Sequence, residues 1–401
     1  MKPEIESIPS GGVTSPGGFR AGATCAGIKK KVADCLDLGI LLSETPCAAA
    51  AVFTTNKIKA APVILSRKRL RSGRAVAVVV NSGCANACTG ETGLADAEEM
   101  AALAARHIGV GPEDVLIAST GVIGERLPME RIKAGIGQVV LAADGGHRLA
   151  KAIMTTDTVP KEAAVRSGAF TIGGTAKGAG MIHPNLATLL CFLTTDARVD
   201  VSFLRRALRE AVDISFNMIS IDGDTSTNDT VLIMANGLAA NKAIVKGGPQ
   251  ATVFRQALNQ VCIYLARAIA RDGEGATKLI EVKVSGAASL ADARLAARTI
   301  VSSPLVKSAV HGCDPNWGRV VAAAGRSGIE LVPDRIDLNI NGIRLLESGC
   351  PLPFDREEAV KSLDSCEVAI ALNLNSGSAG ATAWGCDLSE EYVKINSQYT
   401  T

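Results

Sequence analysis

The feature that most constrains this chain is a run near its middle in which a glycine-rich approach ends at a threonine. Residues 177–190 read Lys-Gly-Ala-Gly-Met-Ile-His-Pro-Asn-Leu-Ala-Thr-Leu-Leu. Gly178 and Gly180 allow backbone conformations that are closed to other residues, and Pro184 restricts the approach. Because residues 189–193 are nearly all apolar, the run predicts a turn followed by a buried strand.

Thr188 in this run is a candidate nucleophile. A threonine hydroxyl is weak unless a base lies beside it, and a cut just before the residue makes its own α-amine that base. The free amine has an unperturbed pKa of about 8, far closer to neutrality than that of any hydroxyl. The small side chain of Ala187 leaves the carbonyl of the bond to be cut open. The alternative is that Thr188 is only a buried residue at the start of a strand.

The composition predicts a folded chain with one large or two ordinary domains. The chain has 401 residues, of which 47% are apolar and only 3% aromatic, so its core must be built from Ala, Val, Leu and Ile. Forty glycines against fifteen prolines indicate many tight turns. The clearest break in composition is the glycine-rich stretch 173–180, which divides the chain near its middle.

Charge, hydropathy and cysteine content favour a cytoplasmic protein without nucleic-acid or membrane partners. The net charge is +2, and no basic stripe is interleaved with aromatic residues. No apolar run reaches membrane-spanning length, and the first residues lack an apolar signal segment. The eleven cysteines, from Cys25 to Cys386, are expected to be reduced and mostly buried. No spacing of ligands supports a metal site.

The apolar pattern predicts an α+β fold of layered helices and sheets, since strands and helices are mixed without a regular alternation. Strands are predicted at 75–80, 115–118 and 280–284, and helices at 94–107, 127–141, 201–212, 254–269 and 290–301. The strand at 115–118 would carry Ser119, Thr120 and Gly121 at its carboxyl end.

General catalytic motifs do not identify a reaction. The chain has no Gly-x-Ser-x-Gly elbow and no Walker loop. His183 fits the chemistry of a general base, but a histidine in a turn is more often a hydrogen-bonded structural residue.

Several blocks together resemble the glutamate N-acetyltransferase family, also called ornithine acetyltransferases. Besides the run that ends at Thr188, they are Asn-Ser-Gly-Cys-Ala-Asn-Ala-Cys-Thr-Gly at 81–90, Ser-Thr-Gly-Val-Ile-Gly at 119–124, Met-Thr-Thr-Asp-Thr at 154–158, Ser-Ile-Asp-Gly-Asp-Thr-Ser-Thr-Asn-Asp at 220–229, Asp-Pro-Asn-Trp-Gly-Arg at 314–319 and the ending 383–401. These blocks follow the family order, so the resemblance extends over nearly the whole chain.

The resemblance implies self-cleavage between Ala187 and Thr188, which gives an α chain (1–187) and a β chain (188–401) that stay folded together. Thr188 would take an acetyl group from N2-acetylornithine and pass it to glutamate in a ping-pong exchange of arginine biosynthesis. Thr120 and the backbone N–H of Gly121 match the oxyanion hole of the family.

The resemblance also implies a set of substrate-binding positions. They are Thr156, Lys177, Thr188, Glu274, Asn396 and Thr401. Because both substrates carry an α-carboxylate, the site needs a fixed cation, and Lys177 matches it. The side-chain ammonium of ornithine needs an acceptor, and Glu274 matches that position. Thr155 competes with Thr156, and no physical reason separates the two.

The family implies no resident cofactor, an α2β2 tetramer, and acetyl-CoA as a candidate second donor that the sequence does not decide. One alternative is a related self-cleaving aminopeptidase with an N-terminal serine nucleophile, against which the threonine and the number of matching blocks argue. Another is a non-enzymatic protein that binds small molecules and keeps Thr188 in its core.

Overall fold

The structure is a computed structural model, and it describes residues 5–29, 35–183 and 189–398. Ala187, Thr188 and Thr401, which received catalytic or binding roles from the sequence, lie outside the described residues.

The strands and helices within these ranges are as follows. The sixteen strands are β1 (Glu6–Ser7), β2 (Phe19–Thr24), β3 (Leu38–Phe53), β4 (Arg74–Cys84), β5 (Val115–Val122), β6 (Lys161–Ser167), β7 (Phe170–Lys177), β8 (Leu190–Thr195), β9 (Ile219–Ser220), β10 (Thr230–Ala235), β11 (Leu279–Ala287), β12 (Asp337–Ile340), β13 (Ile343–Glu347), β14 (Cys350–Pro351), β15 (Glu367–Asn373) and β16 (Ala379–Cys386). The eleven α-helices are α1 (Ala61–Arg69), α2 (Gly90–Ile108), α3 (Met129–Ile136), α4 (Gly146–Ile153), α5 (Val201–Asp213), α6 (Ala251–Arg271), α7 (Leu290–Val301), α8 (Pro304–His311), α9 (Trp317–Gly325), α10 (Arg356–Leu363) and α11 (Glu390–Gln398).

One nine-stranded sheet contains strands from both sides of the predicted cut. Its order is β1-β6-β7-β8-β10-β3-β4-β5, and β2 also pairs with β3. β8 is antiparallel to β7 and parallel to β10, and β10 is antiparallel to β3. The glycine-rich stretch 173–180 therefore does not separate two domains, because most of it is strand β7 inside this sheet.

Helices separate this sheet from a second one of seven strands, in the order β14-β13-β12-β15-β11-β16-β9. Phe203 of α5 and Phe254 of α6 share a buried cluster with Leu193 of the first sheet and Val282 of the second. Successive residues of a strand face opposite sides, so the neighbouring Phe192 packs against α4 on the other face. This arrangement confirms the predicted α+β fold of layered helices and sheets.

Two details differ from the sequence prediction. The helix predicted at 127–141 is only α3 (Met129–Ile136), because glycines at its end lower helix propensity and Val139 then turns into the core. The cysteines form no disulfide, but only five of the eleven are buried, so the expectation of mostly buried thiols was wrong. Across the described ranges, no helix has the length and apolar character needed to cross a membrane.

Candidate active site

A single pocket collects every predicted site residue that the structure describes. It is lined, among others, by Thr120, Gly121, Thr155, Thr156, Lys177, Glu274 and Asn396. The pocket lies beside the start of β8, since Lys177 pairs with Leu190 in the sheet register. The residue numbers span most of the chain, so the fold brings together segments that are far apart in sequence.

The carboxyl end of β5 presents Thr120 and Gly121 to the pocket. Gly121 has a φ of +129°, and a Cβ atom there would lie 2.3 Å from the carbonyl carbon of Gly83 on the neighbouring strand. No other residue fits this position without a backbone shift. The close approach of β4 to β5 therefore fixes the strand end that carries the predicted oxyanion hole.

Asn228 ties this strand end to the segment before β10. Its Nδ2 donates to the carbonyl of Ser119 at 2.8 Å and to that of Ala85 at 2.7 Å. Its Oδ1 accepts a hydrogen bond from the hydroxyl of Thr227. The side chain is buried, so a substitution there would remove a hydrogen bond from each of these carbonyls.

Lys177 belongs to a buried chain of alternating charges. Its Nζ donates to the hydroxyl of Thr155 at 2.7 Å and lies 3.9 Å from a carboxylate oxygen of Asp157. Asp157 also accepts from Lys161 at 2.7 Å, and Lys161 contacts Asp272 at 2.5 Å. The site thus fixes the Nζ of Lys177 between a hydroxyl and a carboxylate. Both threonines line the pocket, and the preference for Thr156 as the substrate contact stays a prediction.

Burial shifts the acid–base behaviour of this chain of charges. Burial alone raises the pKa of Asp157, but the ammonium groups of Lys177 and Lys161 outweigh it and bring the pKa down to about 2. For Lys177 burial is the largest influence and lowers the pKa, while Asp157 acts against it. Asp157 is therefore the counter-charge that lets a cation remain in the pocket wall.

Glu274 forms an acidic corner of the pocket. Its N–H donates to the carbonyl of Ala179 at 2.8 Å, and its carboxylate accepts from Nδ2 of Asn396 on α11 at 2.8 Å. A Cβ atom on Gly180 would lie 2.5 Å from the carboxyl carbon of Glu274. The absence of a side chain at Gly180 therefore lets the carboxylate approach the loop that leads to residue 188.

Asp222 is a second carboxylate at this corner. It accepts from the N–H of Met181 at 2.5 Å and from that of Ile182 at 2.8 Å. Met181 has a φ of +55°, so these bonds hold the loop in a conformation that non-glycine residues rarely adopt. Burial, with the nearby charge of Glu274, raises the pKa of Asp222, and burial with the same two carboxylates raises that of Tyr392.

His183 does not appear among the residues that line the pocket within the described ranges. Its Nδ1 lies 3.2 Å from the hydroxyl of Ser220, and burial together with Arg298 lowers its pKa. The geometry agrees with the structural interpretation of this histidine.

The sequence did not assign roles to Asp157, Asp222 or Asn228. All three stand in blocks that carried the family resemblance, at 154–158 and 220–229. Their partners lie elsewhere in the chain, however, and membership of a block does not reveal a contact. The signal was present, but it did not distinguish these side chains from their neighbours.

The layered fold and a charged pocket beside a strand that starts just after the predicted cut define a class, the enzymes with an N-terminal-nucleophile type of fold. Within this class, the chain belongs to the ArgJ family, whose model matches residues 20–401.

Individual relatives agree with this assignment. The arginine biosynthesis bifunctional protein ArgJ of Dehalococcoides mccartyi is 55% identical and is matched over 100% of both chains. The protein of the same name from Symbiobacterium thermophilum is 56% identical over 98% of this chain and 99% of its own. The crystal structure of arginine biosynthesis bifunctional protein ArgJ from Bacillus halodurans has a TM-score of 0.50 and 47% identity, and covers 51% of this chain and 97% of that chain.

Proposed function

We propose that this chain is a self-cleaving glutamate N-acetyltransferase that transfers acetyl from N2-acetylornithine to glutamate in arginine biosynthesis. The observation that carries the proposal is the pocket beside the start of β8, which combines the buried ammonium of Lys177 with the carboxylate of Glu274. Membership of the ArgJ family and the names of its relatives support the pathway.

The proposed reaction begins with hydrolysis of the peptide bond between Ala187 and Thr188. One water molecule is consumed, Ala187 gains a carboxylate, and the α-amine of Thr188 is freed. This amine takes the hydroxyl proton of Thr188 as the oxygen attacks the acetyl carbonyl of N2-acetylornithine. The amide C–N bond breaks, ornithine leaves with the proton, and an acetyl ester remains on Thr188. The α-amine of glutamate then attacks this ester, giving N-acetylglutamate and restoring the hydroxyl.

Charge complementarity assigns the two ends of the donor. Lys177 binds the α-carboxylate, and the acidic corner at Glu274 accepts the side-chain ammonium of ornithine. Thr120 and the N–H of Gly121 stabilise the oxyanion formed in each acyl transfer; such donors contribute roughly 3–4 kcal/mol each. Asn396 donates a hydrogen bond to Glu274 and so orients the carboxylate of Glu274. Thr156 and Thr401 complete the proposed set of substrate contacts.

The proposal places the protein in the cytoplasm, without a resident cofactor, as an α2β2 assembly of the two cleaved chains. Strands from both sides of the proposed cut are neighbours in one sheet, which supports the proposal that the two chains stay together after cleavage. The chain of the solved relative from Bacillus halodurans corresponds over 97% of its length to 51% of this chain, which supports the proposal of two cleaved chains. Since the relatives are called bifunctional, we assign acetyl-CoA as a second, slower donor of acetyl to glutamate.

The proposal is tested with Thr188→Ala, and with Thr188→Ser as the matched control that keeps a hydroxyl. Intact mass under denaturing conditions should give two fragments for the wild type and for Thr188→Ser, and one chain of 41.3 kDa for Thr188→Ala. Only the cleaved proteins should exchange acetyl groups between N2-acetylornithine and glutamate. Exchange by Thr188→Ala, or a cleaved wild type that releases amino acids from peptides but does not exchange acetyl, would contradict the proposal.

A further inference from the structure

A buried carboxyl holds the residue that directly follows Thr188. Oδ1 of Asp229 accepts a hydrogen bond from the N–H of Leu189 at 2.9 Å, and the carbonyl of Leu189 accepts from the N–H of Thr230 at 3.0 Å. Both backbone groups of Leu189 are therefore fixed where β8 begins.

The second oxygen of Asp229 is the unusual atom. Asp229 is fully buried. Among the buried side-chain nitrogen and oxygen atoms of the described ranges, only its Oδ2 lacks a hydrogen bond of good geometry. Burial raises the pKa of Asp229 well above its usual range, although the Leu189 N–H, nearby hydroxyls and the ammonium of Lys177 act against this. Buried polar atoms left in this state are uncommon in folded proteins, so the atom calls for a partner.

We infer that Asp229 is a positioning residue for the proposed nucleophile. It holds the N–H of Leu189, the residue that follows Thr188, and its Oδ2 accepts a hydrogen bond from the α-amine that cleavage frees. The inference rests on the proposed function, since it assigns a partner to the amine of Thr188. The backbone sets this reach, because the nitrogens of two consecutive residues lie roughly 3 Å apart in any conformation with standard bond lengths. A directed amine keeps its lone pair towards the hydroxyl proton that it must accept.

The strand pairing alone does not require this arrangement. The ladder between β8 and β10 already satisfies the carbonyl of Leu189, whereas its N–H is bound by a side chain from the residue that precedes β10. A water molecule or a neutral side chain fills such a position at less cost than a buried carboxyl. The carboxyl is thus expected to serve the reacting residue as well as the strand.

The test is Asp229→Asn, which keeps the shape and one oxygen for the Leu189 N–H but places an amide nitrogen at the other position. We expect self-cleavage and kcat to fall about tenfold or more, as for loss of one hydrogen bond that positions the nucleophile, with KM for both substrates within about twofold. The matched control is Asp196→Asn at the other end of β8, where the carboxylate accepts from the N–H of Thr171 at 2.7 Å. The control should cleave and turn over like the wild type.

Three outcomes decide the inference. An Asp229→Asn protein with wild-type cleavage and kcat overturns it and leaves the proposed function intact. If kcat falls and KM rises in Asp229→Asn, and Asp196→Asn shows the same changes, the effect is a general structural one. This result also overturns the inference. A wild type that neither cleaves nor exchanges acetyl contradicts the proposed function instead.

A second variant keeps the inference testable should Asp229→Asn fail to fold. Asp229→Glu retains the carboxyl and moves its oxygens by one methylene group. A kcat that falls while KM stays constant supports positioning by Asp229, and an unchanged kcat overturns it.

Discussion

At the scale of single residues, Asp157 supplies the negative charge that balances the buried lysines of the pocket wall. It lies between two ammonium groups, at 2.7 Å from Lys161 and 3.9 Å from Lys177. A buried cation without a counter-charge is unstable, and removal of one partner leaves the other uncompensated. The ability of Lys177 to hold a carboxylate therefore depends on a residue that itself need not touch the substrate.

We predict that Asp157→Asn lowers the free energy of unfolding at pH 7 by at least about 2 kcal/mol, the value that corresponds to its pKa shift. Because the pKa in the folded protein is depressed from 3.8 to about 2, the ionised form stabilises the fold above pH 3.8, and this contribution is lost as the pH falls through about 2. Denaturant unfolding between pH 2 and pH 7 should therefore give a shallower acid slope for the variant.

The control for this prediction is Glu44→Gln, which breaks an exposed ion pair with Arg20 at 2.7 Å. Exposed pairs contribute about 0–1 kcal/mol, so the control should stay close to the wild type. Parallel stability curves for Asp157→Asn and the wild type would show that the carboxylate is not ionised between the two lysines.

The limits of sequence prediction are clear at this scale. Lys177 and Glu274 were predicted because they match positions in a family pattern, and the structure brings both into the pocket. The hydrogen bond between Asp229 and Leu189 joins residues forty positions apart, and no local pattern encodes such a contact. Burial of Lys177 was also beyond prediction, since a lysine is usually exposed and its environment comes from tertiary packing.

At the scale of elements, the described residues that follow β7 pack closely against a carboxylate. A Cβ atom on Gly180 would lie 2.5 Å from the carboxyl carbon of Glu274, whose position is also fixed by Asn396 on α11. Gly180, the segment after α6 and α11 therefore meet at Glu274, and a change in any of them should alter substrate binding before it alters the core.

We predict that Gly180→Ala raises KM for N2-acetylornithine about tenfold, because Glu274 must move by several tenths of an ångström and loses its hydrogen bonds. Steady-state kinetics and thermal unfolding measure the two effects separately, and the midpoint of unfolding should change little. Gly325→Ala is the control, since a Cβ there meets no atom within 4 Å. Equal KM values for both variants would contradict the close packing at Gly180.

Elements with a strong apolar period were predicted almost to the residue. The helix expected at 290–301 is α7 (Leu290–Val301), and the one expected at 201–212 is α5 (Val201–Asp213). The order of strands was not predictable in this way, because β8 pairs with β10 and β10 with β3, and such pairings depend on contacts between distant segments. The sequence therefore predicted the class of fold and most helices, but not the sheet that surrounds the proposed cut.

At the scale of the whole molecule, the sheet order determines what cleavage after residue 187 can do. β7 and β3 precede the cut, β8 and β10 follow it, and the four strands are neighbours in the order β7-β8-β10-β3. Each boundary between the two pieces carries a continuous ladder of backbone hydrogen bonds, and α5 and α6 bury the same sheet face. Separation would expose this core to water, which is strongly unfavourable.

We therefore predict that the cleaved protein behaves as one particle until it unfolds. Native mass spectrometry should give a complex containing both fragments, and size-exclusion chromatography should give one peak, whereas denaturant should separate the fragments. The uncut Thr188→Ala chain provides the control, because its native particle should have the same size and its denatured form a single mass. Release of either fragment under native conditions would contradict the interleaved sheet, since a strand pair cannot open at its centre while the rest of the fold stays intact.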